Sequence, residues 1–202
     1  MPLEAQALAN QIQSATGQVP PAPAQLLSYC RGFISVLKAG IVAAPLVSGT
    51  TAAGAPLAAG AIPAAIATLQ PTPWLAESGS LGPLASAEHT AIVTYVMTGV
   101  IVFPPGTVTG QCTSTPTSPG PLVNGAAEGG RFTGLAGAAC ASAVAGATGG
   151  QLAGPDSIKV YDAMMSYVML SAKVSFPTGT ITGVCPPGAG SLIGTGAGGL
   201  IT

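Results

Sequence analysis

The chain has one histidine, His89, and any hydrolytic or proton-transfer centre would have to use it as its base. Its acid partner would come from six carboxylates, Glu4, Glu77, Glu88, Glu128, Asp156 and Asp162, which are spread along the sequence. No Gly-x-Ser-x-Gly elbow supplies a nucleophile. Glu88-His89 therefore reads as the polar entrance of a helix, where an acid complements the positive end of the helix dipole, and no catalytic residue is expected. The run GTGAGG from Gly194 to Gly199 has the letters of a dinucleotide-binding turn, but only Leu200, Ile201 and Thr202 follow it. The helix amino-terminus that would hold a pyrophosphate is missing, so the reading is a flexible tail and no cofactor is expected.

Four cysteines, Cys30, Cys112, Cys140 and Cys185, form no Cys-x-x-Cys pair, and one histidine cannot complete a zinc shell, so no metal is expected. Cys30 and Cys140 fall in expected helices and read as small buried hydrophobes. Cys112 and Cys185 fall at matching places after Thr-Gly-x. All four remain candidates for disulfides, and the loop pair could staple segments within one chain or between chains. Trp74 stands alone in the proline-bracketed segment Gln70-PTPWLAESG. It reads first as a plug into the local core and second as an anchor for a partner, together with Tyr95, Phe103, Tyr167 and Phe176.

The elements that must carry these residues are short of charge. Five basic and six acidic residues make 5% of 202, against about 25% in an ordinary soluble domain. Such a surface is expected to be covered by copies of itself or by other subunits. The chain is 48% hydrophobic with a net charge of −1, which disfavours intrinsic disorder. Arg31, Lys38, Arg131, Lys159 and Lys173 are scattered singly, so no basic patch for nucleic acid can be drawn. Ala91–Phe103 is the most apolar window, but thirteen residues are too few for a spanning helix, which needs about 20. The first residues, MPLEAQALANQIQSATG, lack a basic start and an apolar core, so a signal peptide is not expected.

A repeated phrase organises the chain. The segment from Tyr95 (YVMTGVIVFPPGTVTGQC) matches the one from Tyr167 (YVMLSAKVSFPTGTITGVC), and each runs into a glycine-rich tail. A fainter copy is read from Tyr29, with Gly40 as its turn glycine. These give an α+β chain of three degenerate repeats of about 67 residues, with units at 1–62, 63–130 and 131–202. Each unit is expected to hold an Ala-rich helix (Glu4–Gly17, Pro63–Leu69, Leu135–Gly149) and an apolar helix (Pro23–Ala39, Ser86–Val102, Ser157–Ala172). A turn, a short strand and a Gly/Pro-rich extended loop should follow.

The phrase FPPGTVTGQC with GPLVNGAAEGG is similar to virion structural proteins of tailed bacteriophages, of the tail, baseplate or capsid-decorating kind. The resemblance implies a non-enzymatic building block, an obligate oligomer partnered by copies of itself and other virion proteins, assembled in the bacterial cytoplasm and located in the virion. The alternative is a small membrane-associated protein inserting around residues 91–103.

Overall fold

The computed structural model describes residues 3–19, 21–51, 59–74, 82–152 and 154–202. It is a mixed helix-and-strand chain whose elements sort into two compact units, each assembled from three separate stretches. Residues 1–40, 69–99 and 134–172 build a helical unit, and residues 41–68, 100–133 and 173–202 build a sheet unit.

The helical unit holds α1 (Ala5–Thr16), α2 (Ala24–Ala39), α3 (Gly82–Val96), α4 (Gly137–Ala147) and α5 (Pro155–Ser171), with a helical turn at 72–74. Their starts and stops follow local chemistry. Gly17 closes α1 at φ +75°, a left-handed cap that glycine adopts without strain, and its N–H donates to the carbonyls of Gln13 and Ser14. Pro155 opens α5, where its missing N–H costs nothing, and Asp156 in the first turn meets Lys159 at 3.1 Å. α1 packs on α2 and α5, and α4 packs on α3 and α5. The buried positions of α2, Cys30, Phe33, Ile34 and Leu37, recur at helical spacing.

The sheet unit is antiparallel throughout: β1 (Ile41–Thr51), β2 (Ala59–Thr68), β3 (Val100–Val102), β4 (Val108–Cys112), β5 (Gly120–Thr133), β6 (Val174–Cys185) and β7 (Gly190–Ile201). The hydrogen-bonded order is β2-β1-β7-β6-β5-β3, and β4 also pairs with β5. The sheet curls, so that β2 comes into contact with β3 and β4 at the opposite end of that order. Register shifts interrupt most of the ladders, and such bulges are the usual means of bending a sheet. Phe103, Phe132, Phe176, Ile101, Ile181 and Leu192 are buried within this unit.

Several expectations are corrected by this architecture. The glycine-rich tails are long strands, β5 and β7, and not loops. GTGAGG lies inside β7, paired with β1 and β6 and interrupted by a left-handed Gly198 at φ +72°. Gly196 and Gly199 are required by packing, since a side chain at either would come within 2.9 Å of the Phe176 ring. Pro63–Leu69 is not a helix but the end of β2 and the residue after it. Its one proline, Pro63, stands at the first position, where a helix would tolerate it; the stretch is strand because it pairs with β1, and Pro63 is accommodated on a strand at the end of the hydrogen-bonded order. The helix expected over Ser86–Val102 is α3, which stops at Val96, and its β-branched tail becomes β3. The unit boundaries placed at 62/63 and 130/131 cut through β2 and β5.

Candidate functional site

The chemistry-bearing side chains of the helical unit converge on Glu88. Its Oε1 accepts hydrogen bonds from the hydroxyls of Tyr29 at 2.9 Å and Tyr161 at 3.0 Å, joining α3 to α2 and α5 through one carboxylate oxygen. Burial, and then the negative charge of Glu88, hold both phenols well above their ordinary value, so both stay protonated donors at neutral pH. Burial likewise pushes the Cys30 and Cys140 thiols up to about 12, which leaves them neutral and unreactive.

His89 is withdrawn from solvent altogether. Its ring stacks face to face on Trp74, with centroids 4.0 Å apart and planes 6° from parallel. Tyr29 meets the edges of both rings, at 4.9 Å from Trp74 and 5.5 Å from His89, and Phe33 tilts against Trp74 at 5.1 Å. The close fit needs Gly32, because a methyl group there would overlap Trp74 Cδ1. Neither nitrogen of His89 has a hydrogen-bond partner, and burial lowers its pKa to about 4. The imidazole is thus neutral and enclosed, with no acid hydrogen-bonded to it.

Tyr95 and Tyr167 do a different job from Tyr29. Tyr95 Oη accepts the backbone N–H of Ala136, the residue capping the start of α4, at 3.0 Å. Tyr167 Oη accepts the N–H of Glu4, which caps α1, at 2.8 Å, and donates to the carbonyl of the same residue at 3.0 Å. Each supplies a partner to a helix start that no side-chain cap satisfies.

As partner anchors, four of the five aromatics are corrected. Trp74, Phe103, Tyr167 and Phe176 are each no more than 4% exposed, and Tyr95 is half-buried. Phe103 and Phe176 tilt against each other at 5.7 Å inside the sheet unit. The side chains that do face outward from the sheet were not singled out in the sequence: Val184 (60% exposed) lies opposite Ile193 (68%), and Ile41 opposite Leu200. Cys112 and Cys185 form a disulfide within the chain, and Cys30 and Cys140 are free and buried. Among the described residues no group of histidine, cysteine and carboxylate side chains could hold a metal ion. Glu77 and the Gly54-Ala-Pro-Leu57 tail of the first copy lie outside the described residues.

An open groove of about 680 Å³ runs between α3 and α4, lined by Ser86, Thr90 and Thr94 on one wall and Ala143 and Ala147 on the other. The Ala91–Phe103 segment is divided among α3, a turn and β3, with Ile92, Val93, Val96, Ile101 and Phe103 buried. No helix among the described residues is long and apolar enough to cross a membrane. Comparison with protein-family models, curated proteins and solved structures finds no match to this chain.

Proposed function

We propose that the chain is a non-enzymatic structural subunit of a large protein assembly, a bacteriophage virion component of the tail, baseplate or capsid-associated kind. The observation that carries this reading is the sheet unit's surface. Residues 42–68, 103–127 and 174–202 contain no charged residue, yet Val184, Ile193 and Leu200 stand outward there. The unit's charges are confined to exposed Glu128, Arg131 and Lys173, and a surface so poor in charge that displays large apolar side chains is favoured against a neighbouring subunit and unfavoured in water. The groups best suited to chemistry are meanwhile spent on packing, with His89 in a stack and Glu88 held by two phenols. A disulfide in a particle built in a reducing cytoplasm would close after release from the cell.

We also infer that the chain is an internal triplication of a helix-helix-hairpin unit, with boundaries after Thr68 and Thr133. The three hairpins, 41–68, 100–133 and 173–202, each end on threonine. Counting back eleven residues from Gly40, Gly99 and Ala172, where the helical stretches end, gives Tyr29, Glu88 and Tyr161, the three residues that meet. In this register Tyr29 is the counterpart of Glu88, not of Tyr95. The first copy of the strand phrase is then Ala44-Pro45-Leu46-Val47-Ser48-Gly49, matching Phe103-Pro104 with Val108-Thr109-Gly110 and Phe176-Pro177 with Ile181-Thr182-Gly183.

Sedimentation of native source material, with mass spectrometry of the pellet before and after detergent, tests the assembly reading. Recovery at fixed stoichiometry in a detergent-resistant particle beside capsid or tail proteins is the expected result. Release by detergent into a small micellar species overturns it and favours membrane association.

A further inference from the structure

His89 occupies a position in which it cannot be charged without moving. It is fully buried, both ring nitrogens lack an acceptor, and one ring face lies on the indole of Trp74. The titratable groups turned into the same core offer no relief. On α3 itself Glu88 already receives two hydroxyls on its Oε1, from Tyr29 of α2 and Tyr161 of α5. Cys30 of α2 and Cys140 of α4 are buried neutral thiols, and the neighbouring Arg31 and Asp162 are exposed. A buried imidazolium with no hydrogen-bond acceptor bears the full cost of leaving water, so a proton can be taken up only where the ring reaches solvent.

We propose that His89 is an acid-sensitive latch of the helical unit: protonation drives its ring out of the stack with Trp74 and loosens the packing of Trp74 on Tyr29 and Phe33 of α2. The direction follows from linkage. The folded imidazole titrates near 4 and the exposed one near 6.5, so between these values the open state binds more protons than the closed one. The latch is fully closed above about pH 6.5 and weakens as pH falls, the opening constant rising roughly tenfold per pH unit until about pH 4. The device would let an acid environment loosen the packing within the helical unit while leaving the disulfide of the sheet unit intact.

The chain has a single histidine and a single tryptophan, so both partners can be followed separately in the full-length protein. The histidine Cε1 proton resonance should stay at its neutral position through pH 6 and change only in the acid step in which Trp74 emission shifts to the red. Unfolding constants measured in urea from pH 7 to pH 4 should rise more steeply in the native chain than in His89→Phe or His89→Gln, by roughly tenfold per unit. An imidazole that titrates near 6.5 while Trp74 emission stays constant overturns the proposal, as does an acid step of equal size in both variants. Should neither variant fold, the wild-type comparison of resonance and emission decides by itself.

Discussion

At the scale of single residues, Tyr29, Glu88 and Tyr161 show how a charge-poor chain uses one of its few carboxylates. A neutral hydrogen bond contributes about 1 kcal/mol net and one to a charged group about 1.5–3 kcal/mol, so a shared carboxylate oxygen is a strong way to tie three helices together. The tie also sets a pH limit. Both phenols have their folded pKa raised, by burial first and by Glu88 second, whereas in the unfolded chain they titrate near 10. The stability they contribute is present below about pH 10 and is lost as pH rises from there toward the folded value, because the unfolded chain gives up its protons first. The urea midpoint of the native protein should fall between pH 9 and pH 11, and the fall should be shallower in Tyr161→Phe. Equal slopes for the two proteins would show that Tyr161 does not keep its proton through the bond to Glu88.

At the scale of elements, the β4 and β6 ends are joined by a covalent bond between residues 73 apart in sequence. Closing a loop of that size restricts the unfolded chain, and the usual gain is about 2–4 kcal/mol. Replacing both cysteines, Cys112→Ala with Cys185→Ala, should lower stability by about that amount in chemical denaturation. Cys30→Ala should leave the bond in place, as counted by thiol titration under denaturing conditions. A double variant as stable as the native chain would mean that the glycine-to-backbone packing nearby already fixes these strands. That packing is tight: a side chain at Gly125 would overlap the carbonyl of Ile181, and one at Gly183 would come within 2.8 Å of Leu192 and of the Ile193 carbonyl.

At the scale of the whole molecule, the triplication proposed above makes Thr68-Leu69 and Thr133-Gly134 ordinary connections between equivalent units. On that reading Leu3, Leu69 and Gly134 are equivalent starts and Thr68, Thr133 and Thr202 equivalent ends. Permutants starting at Leu69 or Gly134, with Thr202 joined to Leu3 by a short Gly/Ser linker, should fold with native circular dichroism and an intact Cys112–Cys185 bond. Loss of structure in both permutants would count against the equivalence of the three units. Permutants that fold but no longer enter the particulate fraction would separate the repeat logic from the assembly role.

Composition by itself determined a good deal. The scarcity of charge, the lack of a long unbroken apolar stretch in the sequence and the lack of metal or phosphate motifs can all be read from residue counts and spacing. So can α1, α2, α4 and α5, because helical periodicity, proline at a start and glycine at an end act over a few residues. The glycine-rich tails could not be read in this way. An extended segment of Gly, Ala and Thr has little pattern of its own, and β5 and β7 become strands because each is paired on both sides, β5 with β4 and β3 (10 to 33 residues away) and β6 (44 to 65), β7 with β6 (9 to 27) and β1 (139 to 159), with aromatic rings lying against their glycines. The Tyr29-Glu88-Tyr161 cluster was hidden for a related reason. Its members differ in residue type, so on the triplication proposed here matching tyrosine to tyrosine would shift the first copy out of register. Only counting from the ends of the helical stretches brings the three together, and those ends are set by where the chain leaves one core for the other.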